Sequence, residues 1–286
     1  MKNIKIGVQM MMLKDKVAEL GIYEVMRKVG ELGYHSVEIS QIPMTQENVD
    51  NLAKASKDFG IDVGACSASL EPMMPGAPGE TLKTHFDKIV EDCKKLNCRY
   101  LRVGMIPLNL IGSKENYINF AKKMDDMAVR LSEQGIQLYY HNHHVEFQKF
   151  DGEYALDIMK NNSKNFGFEL DVHWIHRGGL NPVNVIKNYK GRVDILHLKD
   201  YRIGAMDLSF LKNGDWSKFS EAFNNVVEFA ELGEGNLDFK SIIETGIEAG
   251  VQYFFIEQDN TYGRDPFESL RISRDHLIKL GYEQYL

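Results

Sequence analysis

One pattern recurs along the whole chain: an amphipathic helical stretch, a glycine, a short apolar strand and a polar tip. Strands are predicted at 5–9, 36–40, 61–67, 100–103, from 138 in the stretch 138–147, and at 168–172, 193–198 and 253–257. Helical spacing covers 17–32, 48–59, 81–96, 113–133, 154–161, a segment beginning at Pro182, 239–249 and 266–280. Gly33, Gly60, Gly135 and Gly250 stand where helix-ending glycines belong. The strands are mostly continuous apolar runs, as expected of a parallel sheet buried on both faces. Eight such units predict an α/β fold, a (β/α)8 TIM barrel, as a single domain over 1–286. A doubly wound sheet is the alternative, but no GxGxxG follows the first strand.

Charge and cysteine usage narrow the function. A net charge of -7 argues against a nucleic-acid surface, which needs clustered Lys and Arg. Cys66, Cys93 and Cys98 cannot all pair and form no CxxC, so they read as reduced core residues in a cytoplasmic protein. The opening MKNIKIGVQM has no signal-peptide apolar region, and no run approaches the roughly 20 apolar residues that span a bilayer.

In a barrel the C-terminal strand ends meet on one face. The tips are Gln9, Glu38, Ser67, His141 with His143, Asp171 with His173, His197 with Lys199, and Glu257 with Asp259. Asp171, His197 and Glu257, with an imidazole from the fifth strand, make a mixed N/O set. It suits Mn2+, Fe2+, Co2+ or Zn2+ better than Ca2+, and the absence of thiolate speaks against structural zinc. A histidine after an apolar run is more often a satisfied core residue than a ligand. Asp171 and Glu257 are harder to explain that way, because buried carboxylates are costly unless paired or metal-bound. His141 and His143 are two apart and share a strand face. We take His141 as the ligand and His143 as the proton-handling group, with the reverse still open. Met10, Met11 and Met12 read as apolar loop lining.

With these residues placed, the chain resembles the xylose-isomerase-like TIM-barrel superfamily, in its sugar phosphate isomerase/epimerase branch. The motifs are YHNHHVEF from Tyr140, ELDVHW from Glu169, LHLKDY from Leu196, LGEGNLDF from Leu232 and IEQDN from Ile256. The resemblance covers essentially the whole chain. It implies one divalent metal, most often Mn2+ with Co2+, Mg2+, Fe2+ or Zn2+ as alternatives, held by Glu, Asp, His and Glu from strands five to eight. Asp171, His197 and Glu257 match the last three. At the first, this chain has Tyr-His-Asn-His, so His141 or His143 would serve. The HLKD and EQD tips look closest to the inosose dehydratase side of the family.

The resemblance further implies a sugar or keto-sugar substrate and removal of a proton next to a carbonyl, through a metal-stabilised enediolate. His143, Glu146 and His173 are the candidate bases, with Lys199 as acid or oxyanion partner. Gln9 and Glu38 would bind substrate hydroxyls, and Trp174 would stack on a sugar ring. Isomerase or epimerase chemistry is the first reading. A lyase of the inosose dehydratase or C-glycoside-deglycosidase type, eliminating a β-substituent and needing a partner subunit, is the alternative. The excursion 200–236, with Trp216 and Phe219, is long enough for a lid or an interface with a second copy or a partner. A nuclease of the endonuclease IV type shares the fold, but would need several metals and a basic groove that this acidic chain lacks.

Overall fold

A computed structural model describes residues 4–286. Eight parallel strands close into a barrel: β1 (Lys5–Gln9), β2 (Ser36–Ile39), β3 (Asp62–Ser67), β4 (Tyr100–Val103), β5 (Gln137–His141), β6 (Gly167–Asp171), β7 (Val193–Leu198) and β8 (Tyr253–Ile256). Each strand pairs with the next in sequence, and β8 returns to β1 with Lys5 opposite Tyr253. Closure removes every edge from the sheet. Among the described residues no helix is long and apolar enough to cross a membrane.

Side chains alternate across each strand, and the two faces carry different chemistry. Outward residues such as Phe168, Leu170, Leu196 and Phe254 join the main core with Ile186 and Ile242 of the surrounding helices. Inward residues stack from an aromatic floor to a polar mouth. Ala65, Tyr139, Ile195 and Phe255 form the floor, with Tyr100 and Tyr253 against them. Tyr100 meets Tyr139 and Tyr253 edge-on at 5.1 and 5.5 Å. Gly64 and Gly167 leave room for these rings: a Cβ on Gly167 would lie 2.5 Å from Tyr139 Cε1. The tyrosine hydroxyls find partners at the barrel base, Tyr139 donating to Asp194 and Tyr253 to Asp62, each at 2.9 Å.

Two expected helices differ, and a third helix is new. The helix expected at 17–32 is two, Lys14–Leu20 and Ile22–Glu31, because Gly21 at φ 79, ψ 152 breaks it. The helix expected from 81 is confined to Phe86–Lys95, since 81–85 form a turn in which the Thr81 carbonyl accepts from His85 N–H. An unforeseen helix, Val172–Arg177, starts directly after β6. Asp171 caps it by accepting from Trp174 N–H at 3.0 Å. The excursion is an antiparallel hairpin, Asp200–Ile203 with Val227–Ala230, carrying short helical turns at its tip.

The floor gives a stability test. Gly167→Ala should force a methyl group into the Tyr139 ring and cost about 1–3 kcal/mol. Urea unfolding would show this as a lower midpoint with an unchanged slope.

Candidate metal centre and acid-base cleft

Alternation places Glu169 and Asp171 of β6, His197 of β7, and Glu38 of β2 on the inward face with His141 of β5, and all are fully or almost fully buried. The ligand atoms of His141, Asp171, His197 and Glu257 lie within 4.8 Å of one another. A second group, Glu38, Glu169 and His197, satisfies the same criterion one layer deeper. His197 joins the two. Its Nδ1 lies 2.8 Å from Glu257 Oε2, and its Nε2 lies 3.0 Å from Glu38 Oε2 and 3.3 Å from Glu169 Oε1. Burial opposes its charge, but Glu169, Glu38 and Glu257 outweigh it and hold this imidazole protonated well above its usual range; with a metal bound, a proton on Nε2 held by Glu38 would leave Nδ1 free to ligate. This is the usual way an outer carboxylate fixes the tautomer of a metal-ligating histidine.

The deeper group already has its cation. Arg102 Nε lies 2.8 Å from Glu38 Oε1 and 3.2 Å from Glu169 Oε2, and Nη2 donates to Ser40 Oγ at 2.9 Å. The upper group is served by Lys199, whose Nζ lies 3.0 Å from Glu257, 2.9 Å from Asp259 and 3.5 Å from Asp171. The Trp174 and Phe229 rings flank this ammonium at 4.9 and 5.5 Å. The carboxyl groups of Glu38, Glu169, Asp171, Glu257 and Asp259 still outnumber the fixed cations. The effect is visible in the ionisations. Burial pushes Asp171 up to about 7, and burial with the Glu38 charge pushes Glu169 up to about 7. Burial also opposes ionisation of Glu257, but Lys199 and His197 outweigh it and hold that carboxyl well below its usual range.

These residues fit a divalent cation. Asp171 Oδ2 is buried with no hydrogen bond among the described residues, 3.5 Å from Lys199 Nζ, while His141 Nδ1 lies 3.1 Å from Glu169 Oε2. Two imidazoles and two carboxylates are the donor types that Zn2+, Mn2+, Fe2+ and Co2+ accept. Four donors at about 2.0–2.2 Å from one ion would themselves lie within roughly 4.4 Å of each other. A cation there would also supply the missing positive charge.

A cavity of about 700 Å³ opens over this cluster, and His141, His143, Lys199, Glu257 and Asp259 line it. His143 stands beside His141 with ring centroids 4.8 Å apart. Burial and the Lys199 charge push His143 down to about 3, so its imidazole is neutral. Asn142, between the two histidines, faces the strand edge and accepts from Asp171 N–H at 3.0 Å.

Other expected site residues stand elsewhere. Glu146 does not reach the mouth: its oxygens accept from Tyr140 O–H and His143 N–H, each at 2.7 Å. It shapes the turn that presents His143. His173 is carried away by the helix beginning at Val172, and packs among Trp174, Tyr201 and Phe229. Glu38 lies beneath the cluster on Arg102 and His197, where substrate hydroxyls do not reach. Gln9 lines the cavity, but its amide donates to Glu257 Oε1 at 2.9 Å, so it orients that carboxylate. Trp174 stands beside the mouth, 5.6 Å from the His143 ring, with its indole N–H buried and unpartnered among the described residues.

Sequence reasoning missed Glu169 and Arg102. Period two along FELD puts Glu169 on the face of Asp171, and Arg102 is the one charge inside YLRV; both signals are present. Arg102→Met should leave Glu38 and Glu169 buried without their cation and cost about 3–5 kcal/mol. Chemical denaturation would measure it, and the loss should far exceed that for an exposed arginine such as Arg271.

The comparisons with known proteins agree with this fold. A family model described as xylose isomerase-like TIM barrel matches residues 26–280. The rhizopine catabolism protein MocC of Rhizobium meliloti is 24% identical over 170 residues, 58% of this chain and 50% of that protein, so the match spans about half of that relative. A sugar phosphate isomerase/epimerase structure from Parabacteroides distasonis superposes with a TM-score of 0.71 at 21% identity, covering 96% of this chain and 98% of that one. The IOLI protein with a bound zinc atom superposes with a TM-score of 0.67 at 18% identity, covering 99% of both chains. The chain belongs to the xylose isomerase-like TIM barrel family.

Proposed function

We propose that the chain is a divalent-metal-dependent isomerase or epimerase that acts on a sugar or keto-sugar by removing a proton next to a carbonyl. The observation that carries this reading is the buried His141, Asp171, His197 and Glu257 tetrad beneath a cavity lined by a neutral imidazole and a protonated lysine. The relatives named as a sugar phosphate isomerase/epimerase and as a zinc-bound protein support it.

His141, Asp171, His197 and Glu257 would hold the metal, which when bound supplies Lewis-acid stabilisation of charge developing on the substrate carbonyl. The chain supplies the rest. His143 is the proton acceptor: its neutral imidazole lines the cavity beside His141. Glu146 and Tyr140 hold its backbone in place. Lys199 stays protonated, because Glu257, Asp171 and Asp259 together overcome the burial that opposes its charge. Its ammonium provides a donor for developing negative charge. Gln9 and Glu38 orient Glu257 and His197.

Lyase chemistry is the second reading. The Lys199–Asp259 pair favours it, because that pair places a proton donor at the cavity wall where a departing β-substituent could be protonated.

Metal analysis of the purified chain, followed by solvent deuterium exchange into ketoses, inososes and 3-keto-glycosides, tests the proposal. The chain should carry a divalent metal and exchange deuterium into at least one substrate class. Glu257→Gln should lose the metal. His143→Ala should keep the metal and slow exchange by about 10²–10⁴-fold. Absence of both metal and exchange would sink the proposal.

A further inference from the structure

We propose that Glu169 is a positioning residue for the metal centre: its carboxylate braces the rear nitrogens of both imidazole ligands, and it is what fits His141 to bind a metal. This rests on the reading of His141, Asp171, His197 and Glu257 as the ligand set, and it assigns the residue behind them.

The register of the barrel makes the contact. His141, at the end of β5, is paired with Glu169 on β6, and Asp171, two residues further along β6, is paired with His197 on β7. Side chains two apart on a strand share a face, so Glu169 lies one level below Asp171 and against both histidines. Each of its oxygens meets one ring. Oε2 lies 3.1 Å from His141 Nδ1, and Oε1 lies 3.3 Å from His197 Nε2. On His197 this is the nitrogen opposite the one that faces Glu257. On His141, a proton on Nδ1 towards the carboxylate leaves the lone pair on Nε2.

The two histidines are not equally supported. Glu38 also stands behind His197, at 3.0 Å. Behind His141, Glu169 is the sole carboxylate at ion-pair distance among the described residues. Neither Glu169 oxygen completes an in-line hydrogen bond among the described residues, so both keep lone pairs for a ring N–H.

Glu169 is held where it can brace but belongs to the deeper group with Glu38 and His197, not to the tetrad. Arg102 Nε fixes it from the far side, 3.2 Å from Oε2. The arginine alone does not explain it. Arg102 already has Glu38 at 2.8 Å, and a second fully buried carboxylate adds a desolvation cost. The imidazoles it faces supply the reason. A carboxylate behind a ligating histidine sets the orientation of the ring and raises its basicity.

Zinc affinity of the full chain, measured by competition with a chelator, tests this, with Co2+ absorption as a second readout. Glu169→Gln and Glu169→Asp should both fold and bind Zn2+ about 10–100-fold more weakly than the parent. Their Co2+ spectra should differ from the parent's, because the His141 ring is no longer held. In a chain already carrying His141→Ala, Glu169→Gln should cost only about twofold more, since the residue through which it acts is gone. Metal loss as complete as in Glu257→Gln makes Glu169 a ligand and overturns the inference. So does an unchanged affinity, an equal loss with and without His141, or failure of both variants to fold. A parent chain that binds neither Zn2+ nor Co2+ overturns the metal reading together with this inference. A metal-binding parent with unaffected variants removes this inference alone.

Discussion

His197 is bonded through one ring nitrogen to Glu257 and through the other to Glu38, with no exposure to solvent. The rest of the site is arranged around that contact. Charges inside a barrel are tolerable only when each meets a partner, because water cannot solvate them. The aromatic floor below closes off the barrel base, so partners must come from the strands. Arg102 answers the carboxylates beneath His197, and Lys199 answers those above it. The imidazole between them belongs to both layers, which couples the depth of the barrel to its mouth.

This layering separates the groups that hold from the groups that are free. Glu38, Arg102 and Gln9 use their polar atoms on other protein groups. One oxygen of Asp171 does not. Asp171 shows how closely fold and site are joined. One of its oxygens caps the helix Val172–Arg177 and the other faces the cluster. The same cap turns the chain after Asp171, which is why His173 leaves the mouth although it is only two residues further on.

The excursion after β7 is tied to the site at its base. Asp200 accepts from the N–H groups of Tyr201, Gly233, Gly235, Asn236 and Leu237, which fastens the LGEGN segment. Phe229 from the returning strand packs against the Lys199 ammonium and His173. Its tip exposes Trp216 and Phe223. The base thus confines the lysine, while the tip adds nothing to the cavity wall.

Much of this was legible in the amino-acid order. Repeating helix, glycine and apolar strand determined the barrel, because local periodicity and turn chemistry are properties of neighbouring residues. Polar tips on apolar strands marked His141, Asp171, His197 and Glu257, because burying them without a purpose would be costly. Period two could have marked Glu169 as well. The tertiary structure alone decided the remainder. Glu38 and His197 are 159 positions apart, and no local pattern says that a carboxylate from β2 will take the imidazole Nε2 instead of a substrate hydroxyl. Glu146 carries the same carboxylate as Glu257, yet a hydrogen bond from Tyr140 turns it into a structural group. Sequence sets which chemistry each strand end offers; barrel closure sets which of those groups are spent on one another, because pairing among buried charges depends on distance in space.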